Sequence, residues 1–339
     1  MAGSSLRAAA VIRRWLLVER SNHLGIMAAL LAAFAWSLNF VVPFSIGPYS
    51  VFDFALIRFG VSGLIGLCFL IMKTGVVRQL ALGHWLATAW LAFIGYVGYF
   101  MLVSSAAVYS GPVIAPAFLG VVPIVLAIVG NLRQGSVRWR SLLAPITLVS
   151  LGLLLVNGAA FTVEGLAPVH SLWIDIPLAI GAVTLWVWFA LANQAALAVR
   201  PKMTSGVWTA LTLVGGGVQM LAFVPVGMAM GLFEFPRLGL GWDIAAPLYI
   251  WGVSLAILAS VGGVWAWNIA ARNLPVALAV QLIVSETAFG VIGGLIVHSR
   301  WPTLAESAGI TILIVGIVAA IRVFHGVRSL SSARHVQKS

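Results

Sequence analysis

Apolar runs long enough to cross a bilayer recur ten times along this 339-residue chain, and that recurrence leaves few folds open. A spanning helix needs about 20 predominantly apolar residues. The runs, bounded by charge, Gly or Pro, lie at 24–42, 51–72, 85–108, 113–129 and 139–156 in the first half. In the second half they lie at 172–198, 207–230, 244–271, 276–297 and 303–323. Composition agrees: 62% of residues are hydrophobic and 8% charged, with a mean hydropathy of +1.09. Soluble domains run near about 45–50% apolar and about 25% charged. The expected fold is an all-α membrane protein of ten transmembrane helices, and a water-soluble enzyme is excluded. The fifth run is the least regular, because Pro145 interrupts it.

The net charge of +11 would suggest nucleic acid in a soluble chain, but here the bases sit in short segments between apolar runs. With a cytoplasmic N-terminus, the inner side collects Arg7, Arg13, Arg14, Arg20, Lys73, Arg78, Arg133, Arg138, Arg140, Arg200, Lys202, Arg272, Arg322, Arg328, Arg334 and Lys338, or 16 of the 19 bases. The outer side keeps Arg237 and Arg300, and Arg58 lies inside the second run. The positive-inside rule therefore puts both termini in the cytoplasm. The chain divides into a basic N-tail (1–23), five helices (24–157), an outer linker (158–171), five more helices (172–323) and a basic C-tail (324–339), the last expected to be disordered from Arg328 onward. Arg13, Arg14 and Arg20 break any signal-peptide h-region in the first 23 residues. The single cysteine, Cys68, rules out an internal disulfide.

The halves echo one another. Pro112-Val113 and Pro275-Val276 each open a span, follow an Ala-Ala pair (Ala106-Ala107, Ala270-Ala271) and precede a Trp (Trp139, Trp301). Thr147 and Gly152 then match Thr311 and Gly316, at offsets of 162 to 164 throughout. Five being odd, the two halves have opposite topology, which makes this an inverted repeat of the kind found in transporters.

Trp36-Ser37-Leu38-Asn39-Phe40 in the first span and Arg58-Phe59 in the second resemble the opening signature of EamA-type members of the drug/metabolite transporter superfamily. The Ala-rich end of the third span and the Pro-led fourth and ninth spans extend the likeness over residues 24 to 323. The Trp- and Tyr-rich interior is most similar to the bacterial branch that exports aromatic amino acids. The resemblance implies ten helices around a central cavity in the bacterial inner membrane, and export of small metabolites by alternating access. Family members often carry Glu-Pro within the fourth or ninth span; here the positions read Val122-Pro123 and Glu286-Thr287.

Glu286 sits mid-span, where a charged carboxylate costs ~2.5–3.5 kcal/mol and so should face the bundle interior or a wet cavity. It is read as a proton site or a ligand for a substrate ammonium, against a protonated Glu bonded to a neighbouring helix. Gln281 and Ser285 share a helix face, with Glu286 at its edge. Arg58 either receives a substrate carboxylate or forms a structural ion pair with Asp53, with snorkelling as a further option. Trp36 and Asn39, Tyr96 and Tyr99, and Trp265 and Asn268 are each three apart and share faces. With Trp186 they suit a cavity for a partly apolar zwitterion or organic cation, through cation–π attraction of about 0.5–2 kcal/mol per ring. Helix association explains each ring equally well.

No Walker A sequence, intramembrane lysine, His-Glu-x-x-His or filter-like run is present. The expectation is a non-enzymatic carrier without cofactor or metal, monomeric, with the bilayer and a small molecule as its partners and no nucleic acid. The substrate reading is amino acids or related metabolites. A proton-coupled multidrug or organic cation exporter, and a non-transporting membrane scaffold, are the alternatives.

Overall fold

A computed structural model describes residues 22–40, 42, 45–110, 125, 128–132, 137–164, 172–297, 299 and 301–337. The described residues are helical, with no strand among them. Among the described residues eight helices are long and apolar enough to cross a membrane, and Asn22–Ser37 is a shorter apolar helix. The N-tail to residue 21 and nearly all of the fourth run (113–129) lie outside the described residues, so ten spans remain an expectation.

The described helices follow the runs. We number them α1 (Asn22–Ser37), α2 (Val51–Met72), α3 (Leu82–Ala92, continued through Phe93–Val97 into Gly98–Ser110), α4 (Trp139–Glu164) and α5 (Leu172–Ala198). Then come α6 (Ser205–Ala229), α7 (Trp242–Leu255, continued through Ala256–Gly263 into Val264–Asn273), α8 (Val276–Ile283 and Ser285–Val297) and α9 (Leu304–Gln337). Two expectations change. Pro145 does not break its helix: it lies inside α4, where a membrane helix tolerates the one intrahelical bond it removes. The C-tail beyond Arg328 is not irregular, because α9 runs on to Gln337.

Small residues fix the neighbours. α6 lies along α2, α5 along α3, and α9 along α4. Without a hydrophobic force between helices in lipid, close backbone approach supplies the attraction. A Cβ on Gly152 would meet Leu313 Cγ at 2.7 Å, and one on Gly316 would meet Val149 Cγ2 at 3.0 Å. Gly66 presses on Ala210 O, with a Cβ-to-oxygen distance of 2.8 Å.

Two stretches depart from the α ladder into π geometry, Phe93–Val97 in α3 and Ala256–Gly263 in α7. Such π turns are rare and cluster at functional sites, because the inserted residue frees backbone carbonyls and re-aims side chains. α8 is interrupted at Val284, and Glu286 falls in the first turn of its second half, where the helix dipole favours a carboxylate.

Candidate functional site

The site gathers around Arg58, which is buried seven residues into α2. Its Nε donates to Ser260 Oγ at 2.9 Å, and its Nη1 donates to Asn39 Oδ1 at 2.5 Å. Phe59 and Phe54 flank the guanidinium, with ring centroids 5.4 and 6.0 Å from Cζ. Asn39 in turn donates to Trp36 O at 2.7 Å, which ties the family-like motif at the end of α1 to the second span. The π stretch of α7 supplies two of the anchors: Ser260 holds Arg58, and Ala259 O accepts the Trp36 indole N–H at 3.0 Å.

Asp53 is not the partner of Arg58. It completes a capping box with Ser50 at the start of α2, accepting from Ser50 N at 2.8 Å and Ser50 Oγ at 2.9 Å. It also accepts from Glu234 N at 3.1 Å and Phe235 N at 3.3 Å in the loop between α6 and α7. A carboxylate in the third helical position has the helix start as its nearest set of donors, so the local capping interaction wins over a charge five residues on.

Glu286 is half-buried, and its half-helix packs against the Leu38–Phe40 turn that carries Asn39. Its charge interacts with Arg58, and Tyr99 interacts with both. The two side chains are nonetheless not in contact: among the described residues the one ion pair within 4.0 Å is Arg237–Glu234, in the exposed loop between α6 and α7. Arg58 and the Glu286 carboxyl are thus near enough to interact but form no ion pair among the described residues.

Aromatic rings line that region. Trp186 stacks on Phe189 at 5.2 Å, meets Trp36 edge-on at 5.3 Å and lies 5.4 Å from Tyr99. Trp267 lies 6.0 Å from Trp36 and 6.1 Å from Trp186, and Tyr96 meets Phe189 edge-on at 5.9 Å. Tyr96 Oη, Trp267 Nε1 and both amide atoms of Gln281 are buried with no hydrogen-bond partner among the described residues. An unsatisfied buried donor costs about 1–3 kcal/mol, which a ligand acceptor would recover.

Of the residues singled out in the sequence, Trp36, Asn39, Arg58, Tyr96, Tyr99, Trp186 and Glu286 come together here. Gln281 is buried on α8 without a described contact to the cluster. Two others go elsewhere. Trp265 is 46% exposed on the outside of the bundle, and Trp267 takes the interior position instead. Residues two apart on a helix point about 200° apart, so only one ring of Trp265-Ala266-Trp267 can face inward. Asn268 is committed to helix association: its Nδ2 donates to Thr209 Oγ1 at 2.8 Å, and its Oδ1 accepts from Asn193 Nδ2 at 2.8 Å. Asn193 Oδ1 accepts from Trp208 Nε1 at 2.9 Å, completing a buried relay across α5, α6 and α7. Ser260, Phe189 and the relay partners Asn193, Trp208 and Thr209 are not among the residues that the sequence singles out. The one signal for Ser260 is a hydroxyl within the small-residue stretch Ala259-Ser260-Val261-Gly262-Gly263.

Apolar helices long enough to cross a bilayer, with Arg58 buried and Glu286 half-buried among them, make this a polytopic helical membrane protein. Residues 23–158 match the EamA-like transporter family. The chain is similar to Inner membrane protein YtfF of Escherichia coli (strain K12), with 29% identity over 308 residues, covering 88% of this chain and 95% of that protein. A solved crystal structure, 18% identical, matches with a TM-score of 0.69 over 89% of this chain and 96% of its own, and shares the fold.

Proposed function

We propose that the chain is a secondary transporter of the bacterial inner membrane that exports small amphipathic metabolites, chiefly amino acids including aromatic ones. The observation that carries the substrate class is the separated pair of Arg58 and Glu286 beside the Trp36, Trp186 and Tyr99 rings. A zwitterion with an apolar side chain complements all three elements at once. Its carboxylate meets the guanidinium, its ammonium the carboxylate, and its side chain the rings. Trp267 replaces Trp265 in this reading, Tyr96 and Gln281 offer polar atoms, and Asn268 has no part. Inner-membrane location follows the likeness to YtfF, and export follows the family resemblance.

Alternating access operates, in this proposal, between two inverted five-helix halves with both termini cytoplasmic. Repeat-related contacts support it. The Gly152–Leu313 contact maps onto Gly316–Val149 under a shift of 164 positions, exchanging the helices. A shift of 154 likewise turns the approach of Gly63 to Leu213 O into that of Gly217 to Phe59 O. The π stretches begin at Phe93 and Ala256, 163 positions apart, as the sequence repeat requires.

Cells preloaded with a Phe-containing dipeptide test the reading. Expression should speed release of labelled Phe, and Arg58→Ala or Glu286→Ala should abolish the increment with the protein still inserted. Release unchanged by expression, for Phe, Met and Thr alike, would overturn it.

A further inference from the structure

A buried guanidinium has five N–H donors and, lacking an anionic partner, carries a desolvation cost of several kcal/mol. Arg58 is 6% exposed, and its partners among the described residues are both neutral: the Ser260 hydroxyl at 2.9 Å and the Asn39 amide oxygen at 2.5 Å. Asp53 is committed to the start of α2, and Glu286 stands off beyond ion-pair distance. Nη2 makes no hydrogen bond among the described residues. Neutral acceptors from α1 and α7 therefore hold two positions of the fork, and the remaining donors are available to an anion.

Ser260 reaches Nε because it lies within the π stretch of α7. One residue added to a helical turn rotates every later side chain by about 100°, so a regular helix would point position 260 elsewhere. The same stretch anchors Trp36 through Ala259 O. It thus sets both the direction of the cation and the position of an aromatic wall.

We propose that Ser260 is a positioning residue that aims Arg58 at a carboxylate of the cargo, so that an anionic group is obligatory in what the protein binds. This rests on the amino-acid reading above and narrows it: amines of the same shape without a carboxylate, and carboxylates masked as esters, are poor ligands. Ser260 does not touch the cargo. It acts by fixing a fork that would otherwise rotate about its side-chain torsions, and a bidentate carboxylate contact depends on that orientation.

The test compares wild type, Ser260→Ala and Ser260→Thr in vesicles that exchange labelled for unlabelled Phe, with unlabelled Phe, Phe methyl ester and phenethylamine as competitors. Wild type should prefer Phe to the ester and the amine by roughly tenfold or more, the usual worth of a hydrogen bond to a charged group. Ser260→Ala should lower that preference to within about threefold while keeping much of the maximal rate, and Ser260→Thr, which retains the hydroxyl, should restore it. Ser260→Cys, nearly isosteric but a poor acceptor, serves in place of alanine should that variant not fold. A wild type indifferent to the carboxylate, or a Ser260→Ala that weakens all competitors equally, would overturn the proposal. Should wild type exchange no Phe, the amino-acid reading fails by itself. Thermal stabilisation of the purified protein by 3-phenylpropionate then decides the inference. A shift present in wild type and Ser260→Thr but lost in Ser260→Ala supports it, and no shift in wild type overturns it.

Discussion

Gly63 and Gly217 face each other across α2 and α6: a Cβ on Gly63 would stand 3.0 Å from Gly217 Cα, and one on Gly217 would stand 3.1 Å from Gly63 Cα. Nothing larger than hydrogen fits between the two backbones, and the obstacles are backbone atoms that cannot rotate away. Gly63→Val or Gly217→Val should therefore destabilise the fold by about 1–3 kcal/mol, the usual cost of overpacking. Gly216 is the control. Its nearest neighbour for a Cβ is Ala92 Cβ at 4.0 Å, so Gly216→Ala should be neutral. Thermal unfolding in detergent measures both.

The relay from Trp208 through Asn193 and Asn268 to Thr209 stabilises three helices without entering the site. Asn268→Leu strands the Asn193 amide in an apolar interior. Interhelical hydrogen bonds in membranes average about 0.6 kcal/mol, but an unsatisfied buried group costs about 1–3 kcal/mol. The second effect dominates, so the melting temperature should fall while the competitor profile for Phe stays as in wild type. A changed profile would return Asn268 to the substrate site.

Asp53 fastens the loop between α6 and α7 over the start of α2. Tyr49 helps, its hydroxyl donating to Gly239 O at 2.8 Å. Asp53→Ala removes the reciprocal half of the capping box and both loop contacts, while Ser50 stays as the N-cap. Amide hydrogen exchange at Glu234 and Phe235 should accelerate by at least roughly tenfold, since local opening no longer breaks charge-assisted bonds. Exchange as slow as in wild type would show that Phe233 and Phe235, packed ring to ring at 5.5 Å, hold the loop alone.

Trp265 and Trp267 separate the membrane-facing ring from the interior one. Trp265→Leu should leave Phe affinity unchanged, whereas Trp267→Leu should weaken it several-fold by removing a ring that abuts both Trp36 and Trp186. Exchange kinetics of the two variants decide the matter.

These contrasts mark how far the sequence alone can go. Apolar runs locate the helices, because length and hydropathy dominate in a bilayer, and the motif Trp36–Phe40 with Arg58 leads to the site. Partners across helices are not legible. Asp53 and Arg58 are near in sequence, yet Arg58 bonds Ser260, 202 positions away. The π stretch that brings Ser260 there has no periodic signature, since a run this uniformly apolar carries little helical moment. For the same reason nothing in Trp265-Ala266-Trp267 says which ring faces inward. Pro145 reads as a breaker in the sequence, although a membrane helix tolerates the one bond it removes.

Exchange of labelled for unlabelled Phe across vesicles bearing the purified protein, with no pH gradient, tests the central claim most directly. The expected result is protein-dependent uptake of label that Glu286→Gln abolishes, and that an unlabelled zwitterion suppresses far better than an organic cation. Uptake absent for Phe, Met and Thr, joined by organic-cation flux that requires a pH gradient and survives Arg58→Ala, would contradict it.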